Sequence, residues 1–506
     1  MTDRCFSLRE VCESTRGQLV PAGVGGRVTE VESRLVNKVV LDTRELQSGD
    51  LFVALPGEQT DGHRYLGQAE KKGAVAALVS PDYSERSLQP LEKLPVVVVE
   101  DPQDALWDLA RESRSRNEDV VVLGITGSNG KTTTKEMLAS ILRVFVGEER
   151  VLCNRKSFNN HLGVPLTLLE LRHGHAYCVT ELGMNAPGEI RDLTALSHPS
   201  VGVITSIGEA HLQGLGSLEG VAKAKAELYE GLPTEGWAVM PSLDSELMKI
   251  LEEAARKIPS ERKLVVGPGS TGDVRLTRSE AGRDGRLECR IEGRGEPLTV
   301  TLPLVGEHNG MNAATAVAAA KCLKVGDDEI VRGLGEFEPP PHRSVVREIG
   351  GAVVLDDCYN ANPSSMSAGL DTVASLPGQG PLGAVIGDML ELGDSSEKHH
   401  RSLGADLVRR GFELVVFVGD ASRAAAEAAR EQGMSKERAP FFKSAAEAGD
   451  LVAKKMGKGW RVLVKGSRRV ALEGVLEVWE RRVEGQGSRE GQEGHSHRVG
   501  GRGGKS

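Results

Sequence analysis

The chain has 506 residues, more than one hydrophobic core supports, because single cores stop growing near roughly 250–300 residues, and roughly two to four domains follow. With 39% hydrophobic and 27% charged residues it reads as a soluble globular protein. A formal net charge of −9 excludes a general nucleic-acid surface but leaves room for a local basic pocket that takes an anionic substrate.

The first segment runs to about residue 115. It holds short strand-like pieces, Val39 to Leu41 and Leu51 to Leu55, and ends in a helical stretch from Asp104 to Arg111. The second, residues 116–340, opens on Val120 to Ile125, a continuous apolar run that predicts a parallel strand buried on both faces. A helix follows, with Met137, Leu138, Ile141, Leu142 and Phe145 at helical spacing. Ala176 to Thr180 and Val201 to Ile204 predict further strands, so the segment is an α/β domain with a parallel sheet. Residues 265–304, with polar alternation and glycine turns, predict an antiparallel appendage to it. Pro339-Pro340-Pro341 marks the next boundary. In residues 341–483, Ala352 to Leu355, Leu382 to Ile386, Leu414 to Val418 and Val462 to Val464 predict a second α/β unit. Residues 484–506 have almost no apolar content and predict a disordered tail.

Seven cysteines at irregular spacing, none in a CxxC pair, argue against a disulfide framework and a zinc site and fit a reducing compartment. The first residues lack the apolar core of a signal peptide, and no run approaches the roughly 20 apolar residues of a membrane span. A cytoplasmic location is expected.

The chemistry starts at Gly127-Ser128-Asn129-Gly130-Lys131-Thr132-Thr133, between a buried strand and a helix, which is the setting a phosphate loop needs. The glycines let the backbone turn tightly enough to point N–H groups at phosphate oxygens, and the helix N-terminus adds partial positive charge. Lys131 can reach the outer phosphates and the Thr132 hydroxyl can bind Mg²⁺. The strict pattern wants glycine at position 125, where this chain has Ile125, so the loop is a variant. Glu181 follows a strand and should sit at the sheet's C-terminal edge, where open α/β sheets bind ligands. His211, taken alone, is more often a surface or packing residue, but it too follows a strand edge. Lys225 lies on a helix from Leu218 to Leu228 and by default is solvated.

In order along the chain, these segments resemble the Mur ligases, the cytoplasmic enzymes that build the peptidoglycan stem peptide. The carrying residues are Asp42-Thr43-Arg44 with Gly49 to Leu55, Thr126 to Thr134, Ser157 to Thr167, Glu181 to Met184, Gly208 to Leu212, Gly306 to Asn309 with Asn312, Asp356 to Pro363, Gly387 to Gly393, and Val464 to Arg468. The order and spacing of these pieces are highly specific, and the resemblance covers nearly the whole chain up to the tail. One departure is Ser206, where the family usually has asparagine.

The resemblance implies an α/β fold in three domains: a small α/β N-terminal domain that binds the UDP-MurNAc substrate (1–115), a central P-loop-type domain with a parallel sheet (116–340), and a Rossmann-like C-terminal domain (341–483). It implies that Lys131 and the loop amides hold ATP. Thr132 and Glu181 would ligate one Mg²⁺, and Glu181 and His211 a second. Lys225 stands where several Mur ligases carry a carbamylated lysine that also faces the metal. Asn312 would contact adenine, Asp357 ribose and Arg343 the γ-phosphate, while Thr43, Arg44, Asn159 and Asn160 match the region that receives the UDP-sugar. The Gly387 to Gly393 and Tyr359 to Pro363 runs favour the branch that joins D-alanyl-D-alanine to UDP-MurNAc-tripeptide through an acyl phosphate, with Asn360 and Asn362 as candidates for gripping the dipeptide. A monomer is expected. The rivals are the ligase that adds the third stem residue, folylpolyglutamate synthase, and a nucleotide switch that ligates nothing. The first commonly carries an Asp-Asn-Pro-Arg motif that is absent here, the second has no need of a 115-residue leading domain, and the third leaves the paired metal candidates without a use.

Overall fold

The computed structural model of the chain describes residues 6–22, 28–57, 60–88, 91–155, 158–210, 212–282 and 285–496. Three sheets dominate. The first has five short strands in the order Gln18–Val20, Val96–Val98, Ala76–Val79, Leu51–Val53, Val39–Val40. All its pairs are parallel except the first. Alternation sends Phe52 and Ala54 into a small core with Leu66 and Val79, and Leu51 and Val53 to the opposite face.

That opposite face belongs to a larger core. The helix Pro102–Ser115 is started by Asp101, whose side chain accepts from the Gln103 and Asp104 N–H groups, and by proline in its first turn. It buries Leu106 and Leu109 against the first sheet on one side and against residues of the second unit, such as Val164, Leu168 and Leu193, on the other. The expected boundary near residue 115 therefore falls at the end of a helix whose apolar face is shared by both units.

The second sheet has nine strands, and Val121–Thr126, third from one edge, is flanked by Tyr177–Glu181 and Val201–Ile204. From Val151–Cys153 to Lys263–Pro268 all pairings are parallel. Val274–Ala281 joins Lys263–Pro268 in parallel, and Leu287–Glu292 and Leu298–Leu302 then continue the sheet with antiparallel pairs. The expected appendage is thus an extension of the main sheet, and its alternating Leu287, Cys289, Ile291 and Leu298, Val300, Leu302 face inward. Val122 points to the face shared with the first unit, whereas Leu123 and Ile125 point to the helices Lys131–Val146 and Glu307–Cys322.

The third sheet runs in the order Val345–Ile349, Ala352–Asp356, Arg461–Lys465, Leu382–Gly387, Leu414–Val418, Phe441–Phe442. Only the first pair is antiparallel. Leu355, Ile386 and Phe417 pack on one face and Val354, Val385 and Val416 on the other, so helices cover both sides in a doubly wound arrangement.

The last helix spans Glu473–Ser496 and so crosses the expected boundary at residue 484. The helix is nucleated where Val475, Leu476 and Trp479 are buried, and propagation from a formed turn costs far less than nucleation. No proline interrupts the stretch. Residues 497–506 of the expected tail lie outside the described residues.

Candidate active site

The strand Val121–Thr126 delivers the chain into the loop 127–130, and the helix Lys131–Val146 begins at once. Gly127 (φ +150°) and Gly130 (φ +80°) both adopt conformations that L side chains rarely take. A Cβ at Gly130 would also collide with Asn312 Oδ1. Ile125, the departure from the strict pattern, is the penultimate residue of the strand and wholly buried in the sheet core, so the turn starts two residues later, at Gly127. The loop is pinned from the neighbouring strand. Ser128 N donates to Ser206 O at 2.9 Å, Asn129 N to Ser206 Oγ at 2.9 Å, and Thr205 Oγ1 to Asn129 O at 2.5 Å. Ser206, the departure noted in the sequence, thus holds the loop.

Lys131 Nζ donates to Gly127 O at 2.7 Å, arching over its own loop. Burial lowers the pKa of this ammonium, and Arg343 lowers it further, while Glu181 and Glu391 act in the opposite direction. Glu181 ends its strand and is 1% exposed. Its two carboxylate oxygens accept from Thr132 Oγ1 and Asn159 Nδ2, both at 2.7 Å. Its N–H donates to Asn154 Oδ1 at 3.0 Å, and the Asn154 carbonyl in turn accepts from the buried Lys135 at 2.6 Å. A buried carboxylate bonded only to neutral donors, beside a hydroxyl, is a hard-oxygen donor set suited to Mg²⁺.

Lys225 is not the solvated lysine its position suggests by default. It is 1% exposed, on the helix Leu218–Gly231, and no ion pair to it occurs among the described residues. Burial, reinforced by the charge of Lys131, pushes its pKa well below the ordinary lysine value. A neutral buried amine is the form that reacts with CO₂ to give a carbamate. His211 lies outside the described residues.

The opposite wall comes from the third unit. The Arg343 guanidinium stacks 4.0 Å from the Tyr359 ring centroid. Asp357 accepts from Ser344 N at 3.0 Å and from Lys465 Nζ at 2.5 Å. His342 and Ser344, on either side of Arg343, both have positive φ, 63° and 54°. His308 donates to or accepts from Ser344 Oγ at 3.1 Å, and burial lowers its pKa. Together the two walls enclose a cavity of about 600 Å³ that brings Lys131, Thr132, Glu181, Asn312, Arg343 and Asp357 to one space. Asn159 and Asn160 line it too. Thr43 and Arg44 do not. The Thr43 hydroxyl donates to Gln68 inside the first unit, and Arg44 is paired with Asp42 at the surface.

Three Mur ligase domain families match along the chain: the Mur ligase family catalytic domain over residues 36–114, the Mur ligase middle domain over 125–320, and the Mur ligase glutamate ligase domain over 342–468. The UDP-N-acetylmuramoyl-tripeptide–D-alanyl-D-alanine ligase of Bacillus subtilis is 33% identical over 472 residues, covering 93% of this chain and 97% of the relative. The chain belongs to the Mur ligase family. The Escherichia coli enzyme of the same name is 35% identical over 87% of this Mur ligase and 93% of its own length. Among solved structures, MurF from Acinetobacter baumannii superposes with a TM-score of 0.80 at 32% identity, covering 94% of this chain and 99% of its own. MurF from Thermotoga maritima in complex with ADP gives 0.75 at 29% identity, covering 89% and 98%. Folylpolyglutamate synthase from Mycobacterium tuberculosis, at 20% identity and a TM-score of 0.60, shares the fold alone.

Several residues that build this Mur ligase site carried no role in the sequence reading. Asn154 fixes Glu181, Tyr359 gives Arg343 a platform, and Lys465 faces Asp357. Tyr359 and Lys465 fall inside runs that carry the family resemblance, which is the signal that singles them out. Asn154 falls in none.

Proposed function

We propose that this chain is an ATP-dependent ligase that joins D-alanyl-D-alanine to UDP-MurNAc-tripeptide. The observation that carries it is the cavity in which the phosphate loop and Glu181 of the second unit face Arg343 and Asp357 of the third. The names of the relatives supply the substrates. Absence of an Asp-Asn-Pro-Arg run and the presence of a leading unit favour this branch over the rival ligases.

In the first step the terminal carboxylate of the tripeptide attacks the γ-phosphorus of ATP, the bond to the β-bridging oxygen breaks, and ADP leaves with an acyl phosphate formed. Two anions must approach, so charge neutralisation and positioning carry the rate. Lys131 would leave its Gly127 carbonyl and meet the phosphates, and Arg343 would face the γ-phosphoryl. Asn312 and Asp357 are placed for the adenine and ribose. In the second step the dipeptide amine attacks the acyl carbon and phosphate departs. An acyl phosphate hydrolyses in water, so closure of the third unit over the loop protects it.

Thr132, Glu181, His211 and a carbamylated Lys225 are the residues we assign to Mg²⁺, which when bound would neutralise phosphate charge. Residues 1–115, together with Asn159 and Asn160, are assigned to the UDP-sugar, 116–340 to ATP and 341–483 to closure. Among the described residues no helix is long and apolar enough to cross a membrane; a cytoplasmic location is part of the proposal and rests on the nucleotide-linked substrate in the relatives' names.

The test is phosphate release from ATP by the purified protein. Release should require both UDP-MurNAc-tripeptide and D-Ala-D-Ala. Turnover with UDP-MurNAc-dipeptide and a free amino acid instead would move the chain to the rival branch, and nucleotide hydrolysis indifferent to both substrates would overturn the ligase reading.

A further inference from the structure

A second cavity, of about 280 Å³, shares Ser128, Lys131, Asn360, Ala361 and Asn362 with the first. Its remaining lining brings together two side chains of opposite charge, Glu391 and Arg469. Neither belongs to the groups assigned above to ATP, metal or the UDP-sugar.

The backbone around Glu391 is fixed. Met389 N donates to His400 Nε2 and Leu390 N to Ser467 Oγ, both at 3.0 Å. Ser467 N donates to Asp388 O at 2.9 Å. Met389 and Leu392 are buried on either side. Glu391 itself has φ +65°, a conformation that a residue of its kind adopts at a cost, and such outliers gather where a side chain must be presented. The carboxylate is near enough to Lys131 to favour its charged form. Arg468 is tied to Glu473 at 2.6 Å, whereas Arg469, which lines the cavity, is exposed and has no hydrogen bond or ion pair among the described residues.

A carboxylate near the phosphate end and an unpaired guanidinium lining the same cavity match a small zwitterion that offers its amine toward Lys131 and its carboxylate to Arg469. We propose that this cavity receives the amine substrate, a short dipeptide, with Glu391 holding its ammonium and Arg469 its carboxylate. The assignment rests on the ligase reading above. Carboxylates accept at up to about four lone-pair sites, so Glu391 can take an ammonium beside the contacts it already has. Glu391 takes one proton from the ammonium, and the freed lone pair attacks the acyl carbon. The C–O bond to phosphate then breaks, and the second proton leaves the nitrogen with the phosphate.

The experiment compares wild type, Arg469→Ala and Glu391→Gln with D-Ala-D-Ala and with D-alanyl-D-alaninamide, which lacks the C-terminal charge. A charge-assisted hydrogen bond lost at Arg469 should raise KM for D-Ala-D-Ala about tenfold or more, with KM for ATP and the UDP-sugar unchanged. Wild type should discriminate against the amide, and Arg469→Ala should not. Glu391→Gln should lower amide formation more than it lowers ATP-dependent acyl phosphate, trapped as hydroxamate with hydroxylamine in the absence of dipeptide. A wild-type KM for the dipeptide in Arg469→Ala, or equal loss of hydroxamate and amide in Glu391→Gln, overturns the assignment. A wild-type protein that never uses D-Ala-D-Ala overturns the ligase reading instead.

Discussion

Asn362 Nδ2 donates to Asn129 Oδ1 at 2.8 Å, so the cap of a helix in the third unit is bonded directly to the phosphate loop of the second. The ring closes through Ser364: Asn129 Nδ2 donates to Ser364 Oγ at 2.8 Å, and Ser364 Oγ donates to Asn362 Oδ1 at 3.1 Å. Asn362 also starts its helix by accepting from Ser365 N at 2.9 Å. The side chain that begins the helix is therefore also the one that reports whether the third unit is closed. Asn129→Ala and Ser364→Ala should each lower kcat several-fold, since a net hydrogen bond contributes about 0.5–1.5 kcal/mol. The double mutant should lose less than the sum, because both remove one network. Additive losses in a kinetic double-mutant cycle would show that the ring does not couple the units.

Lys131→Ala removes the cation nearest the phosphates. In the resting structure its ammonium bonds only to carbonyls of its own loop, so circular dichroism and melting temperature should stay near wild type. Ligation should fall by about 10²-fold or more, the scale of losing one preorganised charge-stabilising group. Normal turnover by the folded variant would remove the phosphate loop from the mechanism.

Gly130→Ala tests the turn itself. At φ +80° with Asn312 Oδ1 in the way, an added methyl strains the backbone by about 1 kcal/mol or more and displaces the adenine-side asparagine. ATP affinity measured by calorimetry should drop, and the dipeptide's KM should change little. Wild-type ATP affinity would mean that the loop does not hold this conformation in solution.

Lys225 makes a prediction with a sign. Its folded pKa lies well below the ordinary 10.5, so the unmodified lysine resists protonation when folded. Its contribution to stability is unpenalised above 10.5 and falls as pH drops from there toward the folded value. In CO₂-stripped buffer, Lys225→Met should be inactive yet more stable than wild type at neutral pH, and the difference should shrink toward pH 10.5. Short carboxylic acids should partly restore Lys225→Ala if a carbamate supplies the missing anion. Full activity of Lys225→Ala without rescue would leave the lysine no part in the chemistry.

How much of this was readable beforehand depends on the range of the interaction. Strands such as Val201–Ile204 and Leu414–Val418 coincide with their predicted runs because burial on both faces writes a continuous apolar stretch. The phosphate loop is local and was legible as a string. Lys225 looked solvated because nothing in its helix says that Lys131 and a packed core surround it. Asn154 and the Asn129–Asn362 bond escaped for the same reason, since their partners lie 27 and 233 residues away. Composition past Glu484 gives no sign of the helix that crosses that boundary, which begins where Trp479 is buried.

The helix Pro102–Ser115 has its apolar face in a core built jointly by the first sheet and the second unit. The third unit's two cores are drawn almost wholly from its own residues. On heating, the leading and central parts should therefore melt together in one cooperative transition, and the third part in another that shifts alone when the Asn129–Asn362 bond is cut. The leading part expressed by itself would expose half of a core with nothing to cover it. For this chain the natural cut between separable pieces lies near Pro339–Pro341 and not at residue 115.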